Sequence, residues 1–361
     1  MDDKAPCLLL PSSAPLTGEV AEELAAAYHA AWGAKVVPGR NPAPQPVSLE
    51  RRHLELLKAN AYVGADKSDG VRMCLFLARA CGREHAVLVD RKLSLYQVPV
   101  AASRRCFDGS LFDGELLWTT GPDGTRWQTF LVFDAVAWRG DGGAIGREAL
   151  TRRLELIRHT FDLGAEEIVG AEAAQAKAKE GKIVCGGNAH GLSFRPKQCF
   201  SLEMLPTLLR QLPLLPYQCD GLVLTPVNEP VRTGTHETTF KLKWRHTLDL
   251  QANPATRQLL LGAGGVAHNE RIDLGASGLP LTLADSFWTD LRGALCSYDS
   301  PVCVVAECLL QPGGELSFLS VRRDKIHPNS LRTAERTLRS AAENIGPEEL
   351  LVELLGSGAA R

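Results

Sequence analysis

The sequence predicts an α+β protein in two parts: antiparallel sheets with flanking helices, followed by a small β-barrel. The chain has 361 residues, a length typical of about two domains. It is 45% hydrophobic and 23% charged, as ordinary globular cores require. After about residue 245 the pattern changes, and short apolar runs alternate with Gly and Pro turns, as in small barrels.

The N-terminal region predicts two helices joined by a linker. Residues 16–33 are rich in Ala and Glu, with Thr17 as a predicted N-cap. Residues 34–47 contain four prolines and are predicted to be a linker. Ser48 is predicted to cap a second helix over 49–59.

The rest of the first part is predicted to consist mainly of short strands between Gly, Asp and Pro turns. A helix over 146–160 is expected from the apolar spacing of Leu150, Leu154, Ile157 and Phe161, and a second, exposed helix over 171–180. The predicted strands are 61–66, 71–79, 86–90, 94–99, 111–118, 129–138, 192–201, 221–225 and 238–244.

The second part is predicted to be a barrel followed by a charged helix that begins at Ser330, with a break at 345–347. The predicted barrel strands are 258–261, 302–310 and 316–321. The predicted organisation is an N-terminal helix and linker (1–47), a first domain (48–244), a second domain (245–329) and a C-terminal helical tail (330–361).

Charge and cysteine usage exclude several classes of protein. The formal net charge is -2, so a passive nucleic-acid coat is not expected. The ten cysteines include no C-x-x-C pair, which argues against a zinc site and favours a reducing compartment. No apolar run reaches about 18 residues, and Asp2 and Asp3 replace a basic leader, so neither a membrane span nor a signal peptide is predicted.

The segment from Asp66 to Arg72 is the most informative part of the chain. It places Lys67 in a tight loop between two apolar strands, followed by Asp69-Gly70 and then a cation. A lysine amine can attack a phosphorus centre and hold a nucleotide covalently, and Arg72 can bind a polyanion. The alternative is a surface lysine in a turn.

Carboxylates recur at two further strands. Asp113 and Glu115 are two residues apart, so on a strand they share a face and can accept a ribose hydroxyl or a metal-bound water. A plain Asp-Gly turn is the alternative. Asp220 lies at the start of an apolar strand, where a hard cation such as Mg²⁺ finds the oxygen ligand that it prefers.

An aromatic residue and several cations complete the set. Phe133 can stack on a base or belong to the core. Lys241 and Lys243 share a strand face, either around an anion or protecting a sheet edge. The cations of the segment 322–325 can bind pyrophosphate or form a solvated turn.

The serial order of these motifs closely resembles that of the covalent nucleotidyltransferases, which include mRNA capping guanylyltransferases and ATP-dependent polynucleotide ligases. The resemblance covers about residues 60 to 329. The final motif, Arg322-x-Asp324-Lys325-x-x-Pro328-Asn329, is similar to that of capping enzymes, as is Phe-Lys-Leu-Lys-Trp at 240–244.

The resemblance implies a nucleotidyltransferase domain (ATP-grasp-like, antiparallel sheets with flanking helices) followed by an OB-fold domain. It implies transfer of GMP from GTP through a lysyl-GMP intermediate to the 5′-diphosphate end of RNA, with Mg²⁺ or Mn²⁺ as cofactor. RNA triphosphatase, cap methyltransferase or RNA polymerase are the further partners that it suggests. It also implies a nuclear location, or the host cytoplasm for a viral enzyme.

The resemblance also implies a role for each residue. Lys67 is the nucleophile, Asp220 is a catalytic residue that supports the metal, and Lys241 and Lys243 are catalytic residues that steady the α-phosphate and its developing charge. Two alternatives stay open, an ATP-dependent ligase and a non-enzymatic RNA-binding member. The implied GTP contacts are Asp66, Arg72, Glu115, Phe133, Lys197, Arg322, Asp324 and Lys325.

Overall fold

The computed structural model describes residues 14–33, 41–163, 171–185, 191–264, 270–295, 303–322 and 325–356. Its helices are α1 (Glu19–Ala31), α2 (Leu54–Ala59), α3 (Ala144–Arg147), α4 (Leu150–Phe161), α5 (Ala171–Lys179), α6 (Leu205–Gln211), α7 (Phe287–Leu295), α8 (Leu331–Glu343) and α9 (Pro347–Leu355). No helix in these ranges is long and apolar enough to span a membrane.

The strands are distributed over both parts of the chain. They are β1 (Gln45–Ser48), β2 (Tyr62–Ser68), β3 (Val71–Ala80), β4 (Arg83–Val89), β5 (Leu95–Gln97), β6 (Val100–Ala101), β7 (Ser110–Thr120), β8 (Arg126–Ala137), β9 (Val184–Cys185), β10 (Leu192–Pro196), β11 (Phe200–Ser201), β12 (Cys219–Pro226), β13 (Thr235–Lys243), β14 (Thr247–Asn253), β15 (Gln258–Gly262), β16 (Arg271–Asp273), β17 (Thr282–Leu283), β18 (Val304–Leu310) and β19 (Glu315–Val321).

The chain forms two compact units. The first contains the described residues up to 47 together with 57–241, and the second contains 48–56 and the described residues from 242 onward. The architecture is mixed α+β with mainly antiparallel pairing, as the sequence predicts.

The first unit is built on two large sheets. One has the strand order β1-β13-β12-β2-β11, and the other has the order β10-β8-β7-β3-β4-β5. The second sheet is antiparallel except for the pair β10 and β8. Helix α4 packs Leu154, Ile157 and Phe161 into a core with Phe112 and Phe130, so the predicted apolar face of this helix is confirmed.

Helix α1 packs on the other large cluster of this unit. Leu24 and Tyr28 are buried, and the ring of Tyr28 meets that of Phe76 of β3 edge to face at 5.8 Å. The N-terminal helix is therefore part of the core of the first unit.

The second unit is a six-stranded sheet with the order β16-β15-β14-β18-β19-β17. Phe287 and Leu291 of α7 are buried in its core. Leu338 of α8 packs against the same core, so this helix covers the sheet. The segment 48–56 joins this unit through Arg51, whose backbone N–H donates to Glu343 at 2.5 Å.

Two predicted helix starts are wrong. Gly18, rather than Thr17, is the N-cap of α1, with φ 74 and no side-chain cap. Ser48 ends strand β1 instead of capping a helix. A 3₁₀ turn that begins at Arg51 precedes α2. Glu50 and His53 cap this turn reciprocally: the Glu50 carboxylate accepts the backbone N–H of His53, and the His53 imidazole accepts the backbone N–H of Glu50.

Three further differences concern strands and helix continuity. Lys67 belongs to strand β2, so the turn is confined to Asp69 and Gly70. The predicted helix 146–160 is two helices, because Glu148 adopts an extended conformation between them. The predicted strand 192–201 is divided into β10 and β11, since residues 197–199 leave the strand conformation.

Candidate active site

The candidate nucleophile Lys67 lies near the end of β2, directly beside Asp220 of β12. The lysine Nζ donates to the Asp220 Oδ1 at 2.6 Å, and the side chains are 22% and 27% exposed. The β2–β12 register shifts between Cys219 and Leu222, which places an extra residue on β12. Such a bulge re-aims side chains, and here it directs the carboxylate at the lysine.

Gly70 explains why the turn after Lys67 needs glycine. A Cβ at this position would collide with the carbonyl oxygen of Leu116 on β7. The turn therefore runs against the neighbouring sheet, which keeps Lys67 close to the residues of that sheet.

Asp66 and Lys197 form a buried ion pair on the other face of β2. The Lys197 Nζ donates to the Asp66 Oδ2 at 2.7 Å and to the Ser68 hydroxyl at 2.6 Å. Tyr217 donates to the Asp66 Oδ1 at 3.3 Å. Asp66 and Ser68 share a face because side chains alternate along a strand, which turns both away from Lys67.

Arg72 on β3 is held in a two-pronged ion pair with Asp113 on β7. Its Nε donates to Oδ1 at 3.0 Å and its Nη2 to Oδ2 at 2.5 Å, and Asp113 is fully buried. The guanidinium also donates to the Pro44 carbonyl and lies 5.5 Å from the ring centroid of Phe133. The structure thus brings the predicted Arg72 and Phe133 together.

Glu115 lies opposite Arg72 in the β3–β7 register. Burial raises the pKa of its carboxyl to about 7. The charges of Lys67 and Arg72 act in the opposite direction on this pKa, as does that of Lys197. Glu115 is therefore within electrostatic reach of three of the predicted cations.

Sequence reasoning missed Arg153, which supports this wall of the site. The side chain lies on α4, is 2% exposed, and its Nε donates to the Asp134 Oδ1 at 2.7 Å. Its Nη1 donates to the carbonyls of Glu148 and Glu229. The sequence contains a signal for the burial of this arginine, because a residue three positions after Leu150 falls on the apolar face of the helix.

The lysines of β13 lie on a strand next to β12, which itself neighbours β2. Strands in a sheet are about 4.8 Å apart, so the strand of Lys241 is about 10 Å from that of Lys67. Lys243 belongs to the second unit. There, burial and the nearby charge of Lys243 lower the pKa of His246.

Arg322 and Lys325 come together in the second unit around one carboxylate that the sequence reasoning missed. The Arg322 Nη1 lies 3.4 Å from the Asp249 Oδ1, and the Lys325 Nζ pairs with the other oxygen. Asp249 is 5% exposed. The predicted Asp324 lies outside the described residues.

The donor set at Lys67 suits a divalent cation that shares its ligands with a substrate. Asp220 offers one half-buried carboxylate. The described ranges contain no cluster of three or more His, Cys, Asp or Glu side chains that could hold a metal. Mg²⁺ is commonly held by one or two carboxylates plus substrate phosphates and waters, so a single carboxylate fits it.

The chain is similar to several known proteins. The chain is 26% identical to the mRNA-capping enzyme subunit alpha of Schizosaccharomyces pombe over 88% of this chain and 80% of that protein. It is 26% identical to the corresponding subunit of Neurospora crassa over 86% and 83%. A solved mycobacterial DNA ligase D complexed with ATP and MES is similar over 79% of this chain and 95% of its own, at 14% identity and a TM-score of 0.39.

A family model gives the assignment. The model described as "mRNA capping enzyme, catalytic domain" matches residues 19–245, which is more than half of the chain. This range contains Lys67, Asp220 and Lys241. The protein therefore belongs to the mRNA capping enzyme family of nucleotidyltransferases.

Proposed function

We propose that the protein is an mRNA guanylyltransferase that transfers GMP from GTP to the 5′-diphosphate end of RNA. The observation that carries the proposal is the position of Lys67, whose amine lies near the end of β2 beside Asp220 and within electrostatic reach of Glu115. A half-buried amine beside a carboxylate that can bind a metal, and near polar groups that can bind a sugar, suits nucleotidyl transfer.

In the first step the Lys67 Nζ attacks the α-phosphorus of GTP. The Lys67 ammonium first gives one proton to water, so that its nitrogen carries a lone pair. As the P–N bond forms, the bond from the α-phosphorus to the bridging oxygen breaks, and the nitrogen gives a second proton to water. The products are a lysyl-GMP phosphoamide and pyrophosphate. Positioning and charge neutralisation supply most of the rate enhancement in such transfers.

In the second step a terminal phosphate oxygen of the RNA 5′-diphosphate attacks the same phosphorus. The P–N bond breaks, Lys67 regains a proton, and the product is a GpppN cap. Both steps pass through the lysyl-GMP intermediate, so a substitution of Lys67 removes both.

The nucleoside would be held by the wall formed by β3, β7 and β8. Glu115 and Arg72 would contact the ribose hydroxyls, and Phe133 would stack on guanine. Lys197 would support this wall from its buried pair with Asp66.

Lys241 and Lys243 would balance the charge that develops on the α-phosphate. Arg322, Asp324 and Lys325 would orient the pyrophosphate for departure. Asp220 would bind Mg²⁺ or Mn²⁺, which neutralises phosphate charge when bound.

Three broader assignments belong to the same proposal. The second unit is an OB-fold domain, because it combines a small, mainly antiparallel sheet with a helix packed on its core. The enzyme works in the nucleus, where its eukaryotic relatives would meet new transcripts. Partners are RNA triphosphatase, cap methyltransferase or RNA polymerase, which supply or use its RNA.

Covalent labelling tests the proposal. We expect α-labelled GTP and Mg²⁺ to give a labelled protein on a denaturing gel, with an acid-labile bond. Lys67→Ala should abolish the label, whereas Lys92→Ala, an exposed lysine of the same unit, should keep it. Label retained in Lys67→Ala contradicts the mechanism, and label from ATP alone assigns the chain to the ligase branch.

A further inference from the structure

Two buried carboxylates of the second unit face each other across neighbouring strands. Asp249 of β14 and Glu307 of β18 are directly opposite in register and are 5% and 7% exposed. Like charges directly opposite each other in a sheet are destabilising, and buried charges need partners. The pair is therefore stable only with cations beside it.

Arg322 provides the bridge between the two carboxylates. Its Nη1 lies 3.4 Å from the Asp249 Oδ1 and 3.7 Å from the Glu307 Oε1. Its backbone N–H donates to the Val305 carbonyl at 2.7 Å, which fixes the start of the side chain. Lys325 pairs with the second oxygen of Asp249.

Neutral side chains fix the carboxylates themselves. The Asn329 Oδ1 accepts the Asp249 N–H at 2.9 Å, and the Asn329 Nδ2 lies 3.4 Å from the Asp249 Oδ2. The Ser320 hydroxyl donates to the Glu307 Oε2 at 3.0 Å. The acidic pair is thus a rigid, preorganised support for the two cations.

The cations, in contrast, reach the surface. The side chains of Arg322 and Lys325 are 27% and 23% exposed, while the carboxylates behind them are buried. A cation held from behind by a fixed anion presents its outer face in one orientation, at little further entropic cost.

We propose that Asp249 and Glu307 are positioning residues that hold Arg322 and Lys325 for the pyrophosphate group. The inference rests on the proposed function. It predicts that the acidic pair acts on steps that contain pyrophosphate, namely enzyme-GMP formation and its reversal. Transfer of GMP from the preformed intermediate to RNA contains no pyrophosphate and should not need the pair.

The test measures these steps separately in variants that replace each carboxylate with an uncharged amide of the same shape. Wild type, Asp249→Asn and Glu307→Gln are labelled at saturating GTP, the enzyme-GMP is isolated, and each sample is divided. One half receives a series of pyrophosphate concentrations, and the other half receives 5′-diphosphate RNA. Asp290→Asn, an exposed carboxylate on α7, is the control for loss of one charge.

We expect the pyrophosphate concentration for half-maximal GMP release to rise about tenfold in Asp249→Asn, the equivalent of one weakened charged contact of about 1.4 kcal/mol. Glu307→Gln should shift in the same direction by a smaller factor, because its oxygen is farther from Arg322. Transfer to RNA should stay at the wild-type rate in both variants, and the control should match wild type in both assays.

Unchanged pyrophosphate dependence in both variants would overturn the inference. An equal loss in both assays would also overturn it, because that result indicates a structural role. Thermal unfolding identifies a variant that does not fold, and the other variant then carries the test. Calorimetric titration of unlabelled protein with inorganic pyrophosphate needs no chemistry, so it tests the pair even if wild type is not labelled by GTP.

Discussion

The Nζ of Lys67 and the Oδ1 of Asp220 are 2.6 Å apart, although the two residues are separated by 153 positions in the chain. The ion pair fixes the candidate nucleophile near the end of β2. It also ties up that amine, because an ammonium that donates to a carboxylate is not a nucleophile. Substrate binding must therefore change the partners of Asp220 before the reaction.

This relationship predicts the behaviour of Asp220→Asn. The variant should form enzyme-GMP at least about 100-fold more slowly, because charge stabilisation at the reacting phosphate is lost. Labelling by wild type should stop when EDTA removes divalent cations and return when Mg²⁺ or Mn²⁺ is added. Labelling that persists in EDTA would show that Asp220 serves the lysine alone.

Lys243→Ala should abolish enzyme-GMP formation without unfolding the protein. The lysine is half-buried at the end of β13 and is not part of a hydrophobic core, so its removal leaves no large cavity. Label incorporation and thermal unfolding measure the two effects. Lys179→Ala, which removes an exposed lysine at the end of α5, is the matched control. A large fall in the unfolding temperature of Lys243→Ala alone would indicate a structural lysine.

Arg72→Ala should destabilise the protein by about 3–5 kcal/mol, because it leaves the buried carboxylate of Asp113 without its cation. Arg72→Lys should lose less stability than Arg72→Ala, since it keeps the positive charge although it loses the two-pronged geometry. Urea unfolding of both variants measures the difference. Equal stability of the three proteins would mean that Asp113 finds another partner.

The raised pKa of Glu115 predicts that the stability difference between wild type and Glu115→Gln depends on pH. Its pKa is about 7 when folded and 4.5 in the unfolded chain, so the folded state binds the proton more tightly. Relative to Glu115→Gln, wild type should be most stable below about pH 4.5 and should lose on the order of 3 kcal/mol between pH 4.5 and 7. Urea unfolding at several pH values measures this difference, and a pH-independent difference would contradict it.

Arg153→Met should cost about 1–3 kcal/mol, because the partly buried carboxylate of Asp134 loses its charged partner and the carbonyls of Glu148 and Glu229 lose a donor. Because Asp134 follows Phe133 directly, the variant should also raise the GTP concentration needed for half-maximal labelling. The double variant with Asp134→Asn should recover part of the stability, since the unpaired charge is gone. If the double variant is less stable than the single one, the carboxylate is not the source of the cost.

The sequence by itself determined many of the strand runs, the mixed α+β class and the order of the functional motifs, but it did not predict β1, β14, β16 or β17. Apolar runs between Gly, Asp and Pro turns identify strands locally, and the series from Lys67 to Lys325 identifies the family. Local patterns gave the start of α8 at Ser330 but not the starts of the first two helices. The caps at Gly18 and Glu50 depend on backbone geometry and on reciprocal bonds that composition does not reveal.

Only the tertiary structure decided which charges meet. Lys197 pairs with Asp66 across 131 positions and Arg322 with Asp249 across 73. The alternation of side chains along a strand shows which residues share a face, but not which strands pair with it. In this chain, β2 lies between strands that follow it by more than 130 residues. Burial then fixes these pairs, because an isolated charge in the interior costs far more than a paired one.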